Sequence, residues 1–433
     1  MFEKAPESEN IKGTEGAARV LNFRPLPVAA LGFFTGILIG NEFKGTPLFF
    51  AVCLFCVLAS AAAGYLGQKG SEGSIASAND LRVYALLLAA MLLGALRIYA
   101  YPDGDANGFV SLLLGDRAME TVMRLRSTLT ERITGLYGDN GGYIAAIALG
   151  DTSGIDYSNL SAMRNAGIAH IFAVSGLHVG IMAGAVSAVI PKSFVKTRLA
   201  VTAVFLYCYC ALCLFSASVV RAAVMFVTML AAKLFSRRYD MPSSAALAAM
   251  LILAVSPNQA VKPGFLLSFS AVAGIMLLAG RIGYILRGLG SFLSSTLSVS
   301  IAATLGTAMP SIYFFGRFSV LGLAANIITV PLVPFVLIPG LISALICEIL
   351  PFAAEFLAWA SGGLLNVILE YVFALSDIKW CSIDVAMTSE LVCFAWFVPM
   401  LIASPLCMLS ASKRHRALII SAAAVAVLLI FSL

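Results

Sequence analysis

Residues 164–184 read RNAGIAHIFAVSGLHVGIMAG, an apolar run long enough to enter a bilayer. The run nevertheless contains the polar side chains of His170, Ser175 and His178, and the chain has only three histidines in all. Polar groups at membrane depth are costly unless they are paired or border water, so they indicate a functional segment. We therefore look for function first in this stretch.

The second half of the stretch places glycines at positions 176, 180 and 184. On a helix this spacing aligns all three on one smooth face. Such a face predicts that a neighbouring backbone approaches closely.

The composition indicates a polytopic, all-α integral membrane protein. Of 433 residues, 60% are hydrophobic and 12% charged, with a mean hydropathy of +0.95, whereas soluble domains carry about 25% charged residues. Apolar runs near span length predict about ten to twelve membrane segments. The runs lie at 26–40, 47–67, 81–101, 168–190, 199–216, 217–235, 243–256, 264–280, 292–312, 317–348, 389–410 and 417–433.

Short loops rich in lysine and arginine indicate the cytoplasmic side, which predicts a cytoplasmic N-terminus and places 102–167 outside. The chain is accordingly divided into five parts. They are a polar cytoplasmic tail (1–25), N-terminal transmembrane helices (26–101), an outer-side loop with an amphipathic helix (102–141), a core (142–348), and C-terminal interfacial and transmembrane helices (349–433).

Residues 118–137 alternate apolar and charged positions at helical spacing, which predicts an amphipathic helix lying at the membrane interface. Two interpretations of it stay open: a plain strut on the membrane surface, or a basic track that guides a polyanion. The next run, GGYIAAIALGD, is too short to span and predicts a re-entrant or interfacial turn. Its last residue, Asp151, either faces an aqueous cavity or caps a helix.

Further polar residues lie inside apolar runs. Arg221 follows two serines in LFSASVVR; it either snorkels to the interface or contacts phosphate oxygens with its guanidinium. The segment PGFLLSF opens a span with a helix break before Ser268, and a later span holds Asn326 before breaks at Pro331 and Pro334. Broken helices of this kind commonly line transport sites, although an ordinary proline kink would also fit.

Enzymatic readings have little support in the sequence. Ser175 and His178 are close enough on a helix for a serine–histidine contact, and AVSG is similar to the GxSG motif of intramembrane rhomboid proteases. The distant histidine of that family has no counterpart here. No nuclease, ATPase or dinucleotide motif is present, and the nine cysteines do not form a metal-binding pattern. We expect no catalytic residue, no cofactor and no metal.

Taken together, these stretches resemble the ComEC-type competence protein family, the membrane channel of natural transformation. The resemblance covers about 140–345. It is carried by ALGDTSG at 148–154, NAGIAHIFAVSGLHVG at 165–180, SVVRAAVM at 218–225, PGFLLSF at 263–269 and FGRFSVLGLAANIITVPLVP at 315–334. Leu266 stands where the family usually has glutamine.

The resemblance implies a channel for single-stranded DNA in the bacterial cytoplasmic (inner) membrane, with the core at 142–348. A permease for another anionic or polar solute is the alternative, and an intramembrane serine hydrolase a third. The positions that match the family's motifs, and that we expect to line the path, are Asp151, His170, Ser175, Gly176, His178, Arg221, Ser268, Asn326 and Pro331.

The resemblance also has limits that bear on partners. Residues 101–117 are too few for the OB-like domain of fuller family members, and three histidines without an HxHxDH run exclude their metallo-β-lactamase-like domain. The chain is therefore expected to be the membrane core alone. By family analogy its partners are single-stranded DNA, a separate DNA receptor, a cytoplasmic ATP-driven translocase and a separate nuclease; a homo-oligomer is left open.

Overall fold

The computed structural model describes residues 25–43, 46, 55, 58–59, 78–100, 115–385, 390–404, 417–422 and 424–425. The predicted tail, most of the run at 47–67 and much of the last run lie outside these ranges. The chain divides into two compact units between Pro102 and Asp103, and each is described by itself.

The described residues of the first unit include two long helices, α1 (Pro25–Phe43) and α2 (Ala78–Ala100). Glycines allow the two backbones to meet. A Cβ on Gly36 would lie 1.9 Å from the carbonyl oxygen of Met91, and one on Gly94 would lie 2.1 Å from that of Phe33. Small residues therefore set the packing distance here, as they commonly do between membrane helices.

The second unit contains the remaining helices. Its first half consists of α3 (Asp116–Tyr137), a 3-10 turn (Gly138–Asn140), α4 (Gly141–Leu149), α5 (Tyr157–Asn165), α6 (Gly176–Val189), α7 (Val195–Leu212), α8 (Ala217–Leu234) and α9 (Met241–Val255).

Its second half consists of a 3-10 turn (Pro257–Val261), α10 (Pro263–Gly274), a π-helical turn (Ile275–Ala279), α11 (Gly280–Ile285), a 3-10 turn (Leu286–Leu289), α12 (Ser291–Phe315), β1 (Arg317–Ser319), α13 (Gly322–Leu332), α14 (Pro334–Ile346), α15 (Pro351–Ser376), β2 (Ser382–Asp384) and α16 (Glu390–Ala403).

The predicted amphipathic helix forms as α3, and the C-terminal half of its apolar face is buried within the protein. Leu129 and Ile133 are fully enclosed in the core. At its end, the hydroxyl of Tyr137 hydrogen-bonds to Ser361 at 2.8 Å and to Ser343 at 3.2 Å. The helix is therefore anchored against α14 and α15, and only its other face is free for an interface.

The membrane class is confirmed. Six helices among the described residues are long and apolar enough to cross a membrane, and α13 and α14 form a further pair bent by 46°. The bend falls where Pro331 and Pro334 were expected to break the helix. Three shorter apolar helices accompany them, and α4 has only nine residues, as expected for a segment too short to span.

Two features of the predicted apolar runs differ from the structure. The run at 168–190 is not one helix: α6 begins only at Gly176, because tight turns precede it, with the N–H of Ile171 donating to Ile168 at 2.8 Å. The runs also missed one span in the C-terminal part (349–433), since α15 has 26 residues and is apolar enough to span. Exposed Glu355 and Glu370 interrupt its apolar run, so apolar runs alone did not reveal it.

A small β pairing was not predicted. β1 and β2 pair antiparallel, with Phe318 opposite Ile383. Arg317 at one end donates to Asp384 at 2.6 Å and to the side-chain oxygen of Asn165. Three separate parts of the chain are thereby joined at the end of α5.

Candidate functional site

The first turn of α6 is held by a capping box between Ser175 and His178. Ser175 is extended (φ −119°) and is the N-cap; its side chain accepts the backbone N–H of His178. In return, the backbone N–H of Ser175 donates to Nδ1 of His178 at 3.1 Å, and the Ser175 hydroxyl lies 2.9 Å from the same nitrogen. The contact between these two residues that the sequence predicted is therefore present.

This arrangement assigns the histidine tautomer. A backbone N–H can only donate, so Nδ1 of His178 is the acceptor and the neutral ring carries its proton on Nε2. The side chain is fully buried, and Nε2 has no hydrogen-bond partner in the described part of the chain. A buried donor without an acceptor is costly, so such groups commonly mark functional sites.

Arg221 approaches the same turn from α8. It is only 8% exposed, and its Nη2 would lie 2.9 Å from a Cβ on Gly176, the first residue of α6. Its guanidinium carbon lies 5.8 Å from the centre of the Phe269 ring on α10. Within the described ranges its Nε has no hydrogen-bond partner and no carboxylate pairs with it. The arginine is buried, so the snorkelling interpretation is wrong.

Two hydroxyls lie beside this arginine. Ser268 on α10 donates to Ser218 on α8 at 3.3 Å. Ser218 precedes Arg221 by three residues on one helix, so the two share a face. Phe269 follows Ser268 directly, and it was not singled out in the sequence; its only signal was its place beside a serine within an apolar run. We call Ser175, Gly176, His178, Ser218, Arg221, Ser268 and Phe269 the α6 cluster.

The turn that holds His170 packs against the segment after α12. Gly167 has a positive φ (+75°), and a Cβ there would lie 2.7 Å from Oγ of Ser319 and 2.8 Å from Cα of Gly322. The Cys381 thiol also donates to the Asn165 carbonyl at 3.3 Å. Two motifs that are distant in sequence are thus in contact. His170 itself is exposed.

Three predicted path residues are not joined to the α6 cluster by a hydrogen bond or ion pair among the described residues. Asn326 on α13 has a buried side-chain oxygen without a partner, and Pro331 lies two residues before the bend, at Val333, between α13 and α14. Among the described residues, no hydrogen bond or ion pair links either of them to the cluster. Asp151 lies in the turn between α4 and α5.

Asp151 is occupied by local partners. Its Oδ1 accepts from the hydroxyl of Ser153 at 2.6 Å and from the backbone N–H of Ser153 at 3.1 Å. Its other oxygen lies 4.0 Å from Arg126. The Ser153 hydrogen bonds, with a smaller contribution from the Arg126 charge, lower the pKa of Asp151 below its usual value, although partial burial opposes this shift. The carboxylate caps a turn.

The Gly176–Gly180–Gly184 face does not pack as predicted. Around Gly180 and Gly184, no atom lies within 4 Å of where a Cβ would stand, and only Gly176 has a close neighbour, Arg221. The expectation of a closely approaching backbone is wrong for those two positions. Close backbone contacts that glycines permit lie elsewhere, for example between α10 and α12 and between α1 and α2.

The α6 cluster combines positive charge with hydrogen-bond donors and contains no acidic side chain. The N-terminal end of a helix carries a partial positive charge, and here it adjoins a buried guanidinium and a buried imidazole donor. Metal binding finds no support in the described ranges, where no group of three histidine, cysteine or acidic side chains is placed to hold an ion. The cluster is built to favour negative charge.

These features define a multi-pass membrane protein with a partly buried polar cluster inside its helical domain. The model of the competence protein family matches residues 147–413, and the chain belongs to this family. The match begins near the start of the predicted core and continues through α15 and α16. All of the predicted path residues lie within it.

A curated relative was also found. The chain is 26% identical over 268 residues to ComE operon protein 3 of Bacillus subtilis (strain 168). The alignment covers 61% of this chain but only 34% of the relative, so the chain corresponds to about a third of that protein. No solved structure matches.

Proposed function

We propose that this protein forms the channel through which single-stranded DNA crosses the bacterial cytoplasmic membrane during natural transformation. Family membership supports a role in competence. The observation that carries the finer proposal is the position of the α6 cluster: hydroxyls, an imidazole and a guanidinium converge inside a domain of apolar helices, at three of the family's motifs.

A translocated strand makes two physical demands on its path. Its phosphates must be stabilised after leaving water, for which an arginine and hydrogen-bond donors are suited. Its sugars and bases need an unobstructed wall, and the α6 face at Gly180 and Gly184 borders open space. Because few groups bind the backbone, and none reads a base, the proposal predicts transport of any sequence.

The driving force and the processing of DNA are assigned to other proteins. We propose a cytoplasmic ATP-driven translocase, a separate DNA receptor and, for degradation of the second strand, a separate nuclease. We propose no enzymatic activity and no cofactor for this chain. The chain covers only a third of its curated relative, so the activities of that whole protein are not transferred.

The test is DNase-resistant uptake of labelled DNA in a strain that is shown to be competent. The strain lacking the gene is compared with strains complemented by the wild type, by His178→Ala and by Arg238→Gln, which removes an exposed charge far from the cluster in sequence. We expect uptake with the wild type and Arg238→Gln only. Undiminished uptake in the deletion strain would sink the proposal and favour a permease, to be sought as saturable uptake of a small solute.

The contact between Ser175 and His178 also raises the candidate of a serine hydrolase. The observed geometry speaks for a structural role, because Nδ1 already accepts the backbone N–H of Ser175 and no carboxylate orients Nε2 among the described residues. Labelling of the wild type, but not of Ser175→Ala, by a serine-reactive phosphonate would support the hydrolase; no labelling would exclude it.

A further inference from the structure

We infer that the first turn of α6, Nε2 of His178 and the guanidinium of Arg221 form an anion-binding site for one phosphodiester group. The identity of the ligand rests on the proposed function, whereas the site itself rests on the arrangement of charge and donors.

The charge of Arg221 is not compensated by the described residues. Arg221 is more than nine-tenths buried and has no acidic partner in the described part of the chain. It lies against Gly176, at the end of α6 where the helix dipole is positive. A cation in this position is repelled rather than compensated, and the Phe269 ring at 5.8 Å offers only a weak attraction. A bound anion would supply the missing opposite charge.

The start of α6 offers hydrogen-bond donors to a ligand. The first N–H groups of a helix have no acceptor within it. In α6 the capping box occupies the backbone N–H of His178. The backbone N–H groups of Gly176 and Leu177 therefore remain for a ligand. Two side-chain donors join them, Nε of Arg221 and Nε2 of His178, both buried and both without a partner among the described residues. Donors are supplied here without matching acceptors.

The arrangement of donors suits a phosphodiester anion. A phosphodiester carries one charge and two free oxygens, which the fork of an arginine can bind while helix N–H groups bind the same group. Ser218 and Ser268 add hydroxyls on the α8 and α10 side. Inorganic phosphate presents the same oxygens, so the experiment must separate the two sources.

Gly176 has a specific role in this site. An alanine there would bring its methyl group to 2.9 Å from Nη2 and 3.9 Å from Cζ of Arg221, so the guanidinium would have to move away from the helix end. Gly176→Ala therefore changes the geometry of the site without removing any charged group, and it tests position separately from charge.

The experiment measures binding of fluorescein-labelled (dT)12 to the full chain in nanodiscs by fluorescence anisotropy, with inorganic phosphate as competitor. A matched oligonucleotide with methylphosphonate linkages lacks the backbone charge. The variants are Arg221→Gln, Arg221→Lys, Gly176→Ala and the exposed control Arg238→Gln. Size-exclusion chromatography and thermal unfolding verify folding, and Gly176→Ala keeps the test decisive if Arg221→Gln does not fold.

We expect Arg221→Gln to weaken (dT)12 binding about tenfold or more, as for loss of a charged hydrogen bond. The slope of log K against log salt should fall by about 0.7. Arg221→Lys and Gly176→Ala should be intermediate, Arg238→Gln should match the wild type, and the methylphosphonate oligonucleotide should not distinguish the variants.

Two outcomes would overturn the inference in different ways. Equal weakening by Arg221→Gln and Arg238→Gln would show general electrostatic attraction and refute the site, while the proposed function could still hold by the uptake test. Arg221-dependent binding of inorganic phosphate without binding of (dT)12 would refute the phosphodiester ligand, and the DNA channel would still be decided by the uptake test.

Discussion

Nη1 of Arg126 lies 2.6 Å from the carbonyl oxygen of Leu212, which is 86 residues further along the chain. The same nitrogen lies 2.6 Å from the carbonyl oxygen of Leu149. Leu212 is the last residue of α7 and Leu149 is the last residue of α4. One guanidinium on α3 therefore caps two helices at their negative ends. The side chain is 13% exposed, and so the amphipathic helix directs one of its charges into the protein.

We predict that Arg126→Met destabilises the protein by about 3 kcal/mol, because two charge-assisted hydrogen bonds are lost and two carbonyls are left without a donor. Reversible unfolding in mixed micelles, followed by circular dichroism, measures the change. Arg124→Met is the matched control: Arg124 is 78% exposed and pairs with Glu120 within the same helix, an interaction worth about 0.5 kcal/mol or less. Equal effects of the two variants would contradict the capping role.

Much of this fold could be predicted because its signals are local. The helical spacing of apolar residues revealed α3, and the prolines at 331 and 334 indicated the bend between α13 and α14. The start of α6 could not be found in this way, since the apolar run continues across it. That boundary depends on tight turns and on the contact of Gly167 with Ser319, which is distant in sequence.

The same distinction holds for the candidate site. The pairing of Ser175 with His178 was predicted from a spacing of three residues, and it is observed. The hydrogen bond of Ser268 to Ser218 and the approach of Arg221 to Gly176 depend on how three helices pack, which no local pattern encodes. Arg126 was missed for this reason, because its acceptors are carbonyls on other helices.

Glycines set the contact between α10 and α12, and this provides a second prediction. A Cβ on Gly274 would lie 2.4 Å from the carbonyl oxygen of Ala302 and 2.8 Å from Cα of Gly306. Since these are backbone atoms, Gly274→Ala must separate the helices, and we expect a loss of about 1–3 kcal/mol. Gly280→Ala, which meets no atom within 4 Å, should instead stabilise by up to about 1 kcal/mol. The free energies of unfolding of both variants in micelles test this prediction. Unchanged stability of Gly274→Ala would refute the close contact.

The pH dependence of stability tests the turn at Asp151. The Ser153 hydrogen bonds lower the pKa of this carboxyl in the folded state, so the ionised form stabilises the fold. Its contribution is present above the pKa in the unfolded chain, about 3.9, and it is lost as the pH falls through the lower folded value. The melting temperature of the wild type should therefore exceed that of Asp151→Asn at pH 7, and the difference should shrink below about pH 4.

Ser153→Ala serves as the companion to this measurement. It removes the hydroxyl donor, the largest cause of the shift, while the backbone N–H still donates to Asp151. At pH 7, Asp151→Asn should lower the melting temperature less in the Ser153→Ala background than in the wild-type background. A difference that grows on acidification would contradict a lowered pKa.

The open face of α6 provides the sharpest prediction about the path. No atom lies within 4 Å of a Cβ at Gly180 or Gly184, so a side chain at either position would start in open space, and we expect stability to be kept. If this face lines the path, the added side chain obstructs it. We therefore expect Gly180→Leu and Gly184→Leu to reduce DNase-resistant uptake to the level of the deletion strain. Gly363→Leu on α15 is the control, because Gly363 is exposed and equally free of neighbours, and it should transport normally. Full uptake by both α6 variants, with melting temperatures unchanged, would show that this face borders lipid and that the strand passes elsewhere.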